Sequence, residues 1–352
     1  MTPLESLLRR RIAATGPMTL AEYMGECLGH PEHGYYTSQS PFGTSGDFTT
    51  APEISQMFGE LLGLCLAQSW LDQGAPARFT LAEIGPGRGT LMADALRATR
   101  IVAGFHAAAR IVLIETSDKL RAEQKSALAA YPVDWADHAG ALPDAPLYLI
   151  ANEFFDALPI RQFTRHAAGW RETVVGLANG ALALGQTEPA PVAVLADRVA
   201  DTRPGDIVEV CPQAVSVVGE IASRIARHGG AALIVDYGGW HSLGDTTQAL
   251  RQHKSVGFVS TPGAADLTAQ VDFEALARAA QPCATRYTTQ ARLLENLGIA
   301  ARAARLAQAL TGAARISHDA ATIRLTQASE MGTLFKALAL HPFTAAPPPG
   351  FD

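Results

Sequence analysis

An α/β fold with a mainly parallel sheet covered by helices on both faces is what this sequence predicts, and three observations carry it. Short apolar runs (RFTLAEI, RIVLIE, PLYLIAN, AALIVDY) alternate with helix-length stretches. Their near-continuous apolar character is that of strands buried on both faces, not of strands with one wet side. The connections between them are helical rather than tight turns, as parallel strands require.

Residues 1–75 read as a mostly helical N-terminal extension and lid, interrupted by the glycine-rich loop HGYYTSQSPFGTSGDFTTAPE. Thr49 or Thr50 in that loop is placed to cap a helix, with Pro52 in its first turn. After the break DQGAP, RFTLAEIG is the first sheet strand and TLMADALRATR its helix. RIVLIET, DKLRAEQKSALAAY, VDW, PLYLIANE, VSVVGEIASRIARHG and AALIVDYG continue the alternation, so that 76–240 forms the core. Within it, Arg161 to Gly185 alternates with period two around Gly and Asn turns and predicts a β-meander near 160–187. Residues 241–315 read as a helical insertion forming an acceptor cap, and 316–345 as closing strands of the core sheet.

The composition narrows the function. The 352 residues are 48% hydrophobic and 18% charged, with a net charge of −6 and no basic block, which argues against nucleic acid as a partner. No run of about eighteen apolar residues predicts membrane insertion. Cys27, Cys65, Cys211 and Cys283 lie far apart, the pattern of reduced thiols in a cytoplasmic protein rather than of disulfides or zinc. His30 and His33 have no further ligands nearby, so no metal is expected. The N-terminus lacks the apolar core of a secretory signal and is too acidic for a transit peptide. None of this sets the oligomeric state.

EIGPGRG, Glu83 to Gly89, joins the first sheet strand to its helix. Gly85 and Gly87 permit a tight turn and let a ligand approach the backbone at a helix N-terminus. The spacing is G-x-G-x-G, not the G-x-G-x-x-G of dinucleotide binders, and Glu83 would repel a pyrophosphate but attract an ammonium or sulfonium. Glu115 ends the next strand, where two ribose hydroxyls would be taken. Together these resemble the S-adenosylmethionine site of class I methyltransferases, the plain alternative being a strand–helix turn with incidental glycines.

ANEFFDALP, Ala151 to Pro159, ends the fourth strand in Asn152, Glu153 and Asp156 among two Phe residues. Carboxylates in apolar surroundings need a partner. A guanidinium would pair with Glu153 and Asp156 through its planar fork of donors, with Phe154 and Phe155 stacking on it or excluding water. Deprotonating free Arg at pH 7 takes about 7.5 kcal/mol, whereas positioning lowers a barrier by about 7–11 kcal/mol. The acids are therefore aligners that polarise one nitrogen and accept its proton as the bond to carbon forms. The competing reading is structural: helix caps, and an ion pair of Glu153 with Arg161 or Arg165. Asp236 and Tyr237 end another buried strand beside the same cleft, and Trp135 reads equally as an adenine neighbour or as a core or rim residue.

GYYTSQSPFGTSGDFTTAPEISQMFGE, EIGPGRGTL, NEFFDALPIRQF, LIVDYG, DLTAQVDF and MGTLFKAL occur in the order seen in the MidA-like methyltransferases. The resemblance runs from about Glu22 to Lys336. It implies a class I, Rossmann-like methyltransferase fold with a seven-stranded sheet, S-adenosyl-L-methionine as donor, and a protein arginine as acceptor. A family member in mitochondria assists assembly of respiratory complex I, so the implied partner is a complex I subunit. Carried over by motif, Gly85, Gly87 and Glu115 belong to the donor site and Asn152, Glu153 and Asp156 to catalysis, while Gly46, Asp47, Phe48 and Thr49 form a lid over the donor. With no mitochondrial presequence recognised, a cytoplasmic, bacterial member is expected. Methylation of a small molecule or nucleobase, and a non-catalytic assembly role, remain the competing functions.

Overall fold

Strand β1 (Phe79–Ile84) is buried along its whole length, as a central parallel strand must be. The fold is a computed structural model that describes residues 2–38 and 50–351. On one side of β1 run β2 (Ala109–Ile114) and β3 (Val133–Ala136), on the other β4 (Leu147–Asn152) and β5 (Gly230–Gly239). These five are parallel; Glu83 is level with Leu113 and Ile150, and Asn152 with Val235. β6 (Ala284–Thr289) and β7 (Phe335–His341) complete the order β6-β7-β5-β4-β1-β2-β3, with β7 antiparallel to both its neighbours. Because β1 is followed by β2 on one side and flanked by β4 on the other, a crevice opens at the carboxyl ends of these strands.

Helices α1 (Gln56–Asp72), α2 (Thr90–Thr99), α3 (Asp118–Ala127), α4 (Pro212–His228) and α5 (Ile299–Ala307) accompany the sheet. Phe58, Leu62, Leu66 and Trp70 of α1 share one core with Phe79, Leu81, Leu96, Tyr148, Ile150 and Leu233. Glu60 of α1 is 2% exposed. Its carboxylate accepts from Arg302 of α5 at 2.7 and 2.9 Å and from Arg97 of α2 at 2.9 Å. Burial pushes the Glu60 carboxyl up, but the hydrogen bonds from Arg302 and Arg97 outweigh it and the net shift is downward.

The chain divides into two compact units. One holds this sheet and comprises Thr49–Phe155, Val215–Gly238 and Phe273–Asp352. The other comprises Met1–Phe48, Asp156–Ala214 and Gly239–Asp272. In the latter, strands Met18–Thr19, Gly169–Ala178, Arg161–His166 and Ile207–Val210 lie side by side, with Ala181–Gln186 paired to Gly169–Ala178. Helix Pro3–Thr15 contributes Leu4, Leu8 and Ile12 to its core, and helix Leu20–Gly29, entered through a capping box of Thr19 and Glu22, contributes Tyr23 and Met24.

The boundaries differ from those read along the sequence. Residues 51–75 supply α1 to the sheet unit instead of remaining with the N-terminal extension. Within the helical insertion expected over 241–315, strands Gln248–Arg251, Lys254–Ser255 and Asp266–Thr268 form a small sheet of the other unit. The same segment also supplies β6, a partly exposed edge strand whose polar sequence ATRYTT carries no apolar run. Closing strands are expected throughout 316–345, yet Gly312–Thr326 is helical and the strand begins only at Phe335. Strands of two to four residues, or at a sheet edge, are too short or too polar to leave a period-two signal.

Candidate active site

The glycine loop leaves β1 at Ile84 and stays tied to β2, the Gly85 N–H donating to the Ile114 carbonyl at 3.1 Å. Gly85, Gly87 and Gly89 all have positive φ (63°, 52° and 83°). At Gly85 the backbone also passes so near Phe154 that an added Cβ would lie 2.9 Å from its Cδ2. No side chain fits there. Glu83 does not present a charge to this loop as expected. It is 3% exposed, its Oε2 has no partner among the described residues, and burial raises its pKa to about 8 against a lowering hydrogen bond from the Met92 N–H. The cause is geometric: Glu83 follows Phe79 and Leu81 on the strand face that packs in the core.

Glu115 sits at the turn after β2. Its Oε1 accepts the Thr116 and Ser117 N–H groups at 2.8 Å, and Oε2 accepts from Gln124 at 3.3 Å. Desolvation raises its pKa, opposed by those hydrogen bonds. Gln124 of α3, wholly buried, also donates to the Gly87 carbonyl at 2.8 Å and accepts from Trp135 Nε1 at 2.8 Å. One amide therefore ties the glycine loop, Glu115 and Trp135 together. No motif marks Gln124 in the sequence.

The end of β4 lies beside that loop. Asn152 is 7% exposed; its Nδ2 donates to Glu153 Oε1 at 3.0 Å, while its Oδ1 has no partner among the described residues. Glu153 takes the left-handed conformation, φ 50°, unusual for a non-glycine residue. Its Oε1 accepts the Ala51 N–H at 3.0 Å. Thr50 does occupy the N-cap position of the short helix Ala51–Ile54, but its side chain makes no capping bond; the Glu153 carboxylate serves the first N–H instead. Asp236 of β5, fully buried, accepts from Phe154 and Phe155 N–H at 3.2 and 2.9 Å through Oδ2 and from Tyr237 N–H at 2.9 Å through Oδ1. It fastens the backbone of the motif from below. Of the two rings read as stacking surfaces, Phe155 is core and Phe154 lies against Gly85.

Asp156 belongs to the other unit. There it is 7% exposed, and its carbonyl accepts from Ala269 N–H at 3.0 Å. Nearby, Tyr36 donates to Asp266 at 3.0 Å, and burial, then the Asp266 and Asp156 charges, push the Tyr36 phenol well up. Neither Asn152 nor Asp156 caps a helix, since none follows before Ile160. Arg161, the alternative ion-pair partner for Glu153, is held by Glu172 in a two-pronged pair at 2.7 Å. Gly46, Asp47, Phe48 and Thr49 lie outside the described residues.

Of the residues expected at the site, Gly85, Gly87, Glu115, Asn152 and Glu153 stand at the carboxyl ends of β1, β2 and β4. The sequence also underused Glu53. Its Oε1 accepts from Thr90 Oγ1 at 2.6 Å, and its Oε2 lies 3.6 Å from the Arg88 guanidinium.

Comparison with known proteins agrees with this geometry. Residues 61–289 match the model of a family described as "putative S-adenosyl-L-methionine-dependent methyltransferase". The mouse protein arginine methyltransferase NDUFAF7, mitochondrial, is 38% identical over 329 residues, covering 86% of this chain and 76% of that protein. The Drosophila melanogaster homolog is 33% identical, covering 96% and 85%. A Burkholderia thailandensis crystal structure of a candidate methyl transferase bound to S-adenosyl-homocysteine superposes with a TM-score of 0.82 at 30% identity, covering 99% of this chain and 92% of that one. The curated names overturn the expectation of a cytoplasmic, bacterial protein, for these relatives are mitochondrial proteins of animals. Spaced cysteines and N-terminal composition, from which that expectation came, do not determine a compartment. No helix among the described residues is long and apolar enough to cross a membrane. By the family match and by these identities, the chain belongs to the S-adenosyl-L-methionine-dependent methyltransferases, and it is an enzyme of that family.

Proposed function

We propose that this methyltransferase acts on an arginine side chain of a partner protein, with the donor held at the glycine loop and the acceptor at the end of β4. S-Adenosyl-L-methionine, when bound, supplies an electrophilic methyl group on a sulfonium sulfur. The residues fit such a group. The loop is bare backbone where a Cβ at Gly85 would meet Phe154, and Glu115 lies one strand away with its carboxylate held by two backbone N–H groups. Gly85 and Gly87 would hold the donor against the backbone, and Glu115 would take its ribose hydroxyls.

The observation that carries the acceptor assignment is Asn152 Oδ1, a buried oxygen without a partner among the described residues, beside the Glu153 carboxylate. An orphaned buried acceptor costs about 1–3 kcal/mol, which a ligand N–H recovers. Two adjacent acceptors favour a ligand rich in N–H donors, and the planar guanidinium is the side chain that offers most. Asn152 would orient one nitrogen; Glu153 would align the reacting nitrogen and take its proton as the nitrogen–carbon bond forms. The motif assigns Asp156 to the same acceptor. Relatives named protein arginine methyltransferase support a protein as the acceptor, and the family resemblance supports a respiratory complex I subunit.

Incubating the enzyme with methyl-labelled donor and cell lysate tests this. Label is expected in protein, released on hydrolysis as methylarginine, and lost with Glu153→Gln and with Asp156→Asn, each assayed separately. Label confined to small metabolites or nucleic acid would exclude arginine as the acceptor.

A further inference from the structure

The four-residue helix Ala51–Ile54 makes two long-range attachments from one turn. At its start the Ala51 N–H reaches Glu153, 102 residues away; at its third residue, Glu53 takes the Thr90 hydroxyl, 37 residues away. Both attachments lie within the sheet unit. Thr90 opens α2 directly after Gly89, which as N-cap has no side chain to offer. Glu53 thus brings an acidic group to the start of α2, where the helix dipole favours one, and adds the charge contact to Arg88 inside the glycine loop. Arg88 is steadied in turn by Glu123 of α3 at 3.4 Å.

On the other side of the turn, Pro52 has no N–H and the Glu53 and Ile54 N–H groups bond back to the Thr50 carbonyl. Within this turn, the bond that leaves it through the backbone is therefore the one from Ala51 to Glu153. That bond falls on the same Oε1 that accepts from Asn152, in a residue whose φ of 50° is unfavourable for a side chain bearing a Cβ. The left-handed backbone at Glu153 is held through its own N–H, which donates to the Val235 carbonyl at 2.9 Å, while Ala51 and Asn152 donate to its carboxylate.

We infer that Glu53 is a positioning residue. It fastens the Ala51 turn to the glycine loop, and through Ala51 it sets the Glu153 carboxylate, so the donor loop and the acceptor motif are aligned by one rigid bracket. This rests on the donor and acceptor assignments proposed above. Its consequence is that order in the glycine loop is transmitted to residues 153–155, and that loss of the Thr90–Glu53 bond uncouples them.

Hydrogen exchange decides it, using the full chain with and without S-adenosylhomocysteine. In the ligand-free protein, Thr90→Val and Glu53→Ala each raise exchange of the Ala51 and 153–155 amides at least threefold, with α1 and β5 unchanged. Thr90→Ser, which keeps the hydroxyl, restores the wild-type pattern. Adding S-adenosylhomocysteine slows exchange at 153–155 in the wild type, and this response shrinks at least threefold in Thr90→Val. Unchanged exchange at 153–155 in the ligand-free variants, or a uniform rise across the sheet unit, would overturn the inference. Failure of the wild type to bind S-adenosylhomocysteine would refute the donor assignment instead, and the ligand-free comparison would still decide this one.

Discussion

The carboxylate of Asp236 accepts the Phe155 N–H at 2.9 Å, and this bond, with its companion at Phe154, shapes the turn that carries Glu153. A fully buried carboxylate with three backbone donors is a structural anchor. Asp236→Ala leaves those donors without an acceptor and is expected to destabilise the protein by about 3–5 kcal/mol in urea unfolding. Asp236→Asn retains one carbonyl oxygen and should lose less than half as much. Equal losses in the two variants would mean that the anchor requires both carboxylate oxygens and their charge, since asparagine keeps the side chain's volume.

Gly85 and Phe154 make a second testable pair. Valine at position 85 meets both a φ of 63° and an aromatic carbon 2.9 Å from its Cβ. Calorimetry should show micromolar binding of S-adenosylmethionine, about −8 kcal/mol, in the wild type and none in Gly85→Val. Adding Phe154→Ala to Gly85→Ala removes the contact and leaves the backbone strain, so it should restore binding only in part. Full restoration would assign the whole effect to the ring.

How much of this was legible in advance follows from how local each signal is. β1, β2, β4 and β5 could be read because each is built on a mostly apolar stretch of strand length. EIGPGRG was legible because its glycines sit at the turn they permit. Glu153 was picked out as a carboxylate in apolar company, but its bond to Ala51 spans 102 residues and nothing near either residue announces it. Gln124 acts on a backbone carbonyl and Asp236 on backbone N–H groups, and neither kind of backbone partner carries a residue identity to recognise. Glu83 was misjudged for a simpler reason: its place in the motif was read, but not the strand face it occupies.

Arg302 holds Glu60 from α5 in two bonds, at 2.7 and 2.9 Å, leaving Arg97 as the other guanidinium partner. Arg302→Ala should cost about 1–3 kcal/mol at pH 7. Since the Glu60 carboxyl is held below its ordinary value, this stabilisation exists above the ordinary carboxylate pKa and is lost as pH falls through the folded one. Thermal melts of variant and wild type should therefore converge in acid. A gap that stays constant down to pH 2 would place the loss in packing of the arginine stem rather than in the ion pair.

Glu83 predicts the opposite trend. Burial raises its pKa to about 8 from an ordinary 4.5. Between those values the unfolded chain gives up this proton while the folded protein keeps it, so the Glu83 contribution is intact below pH 4.5 and falls as pH rises toward 8. For one proton the slope reaches about 1.4 kcal/mol per pH unit. Glu83→Gln keeps an oxygen for the Met92 N–H but has no proton to lose, so its stability relative to wild type should climb from pH 5 to pH 8 and level off above. Measuring unfolding free energies of both proteins across that range isolates the single residue, because every other titration is common to the pair. Parallel curves would show that Glu83 is ionised in the folded protein, and would return it to the cation-attracting role its position in the motif suggests.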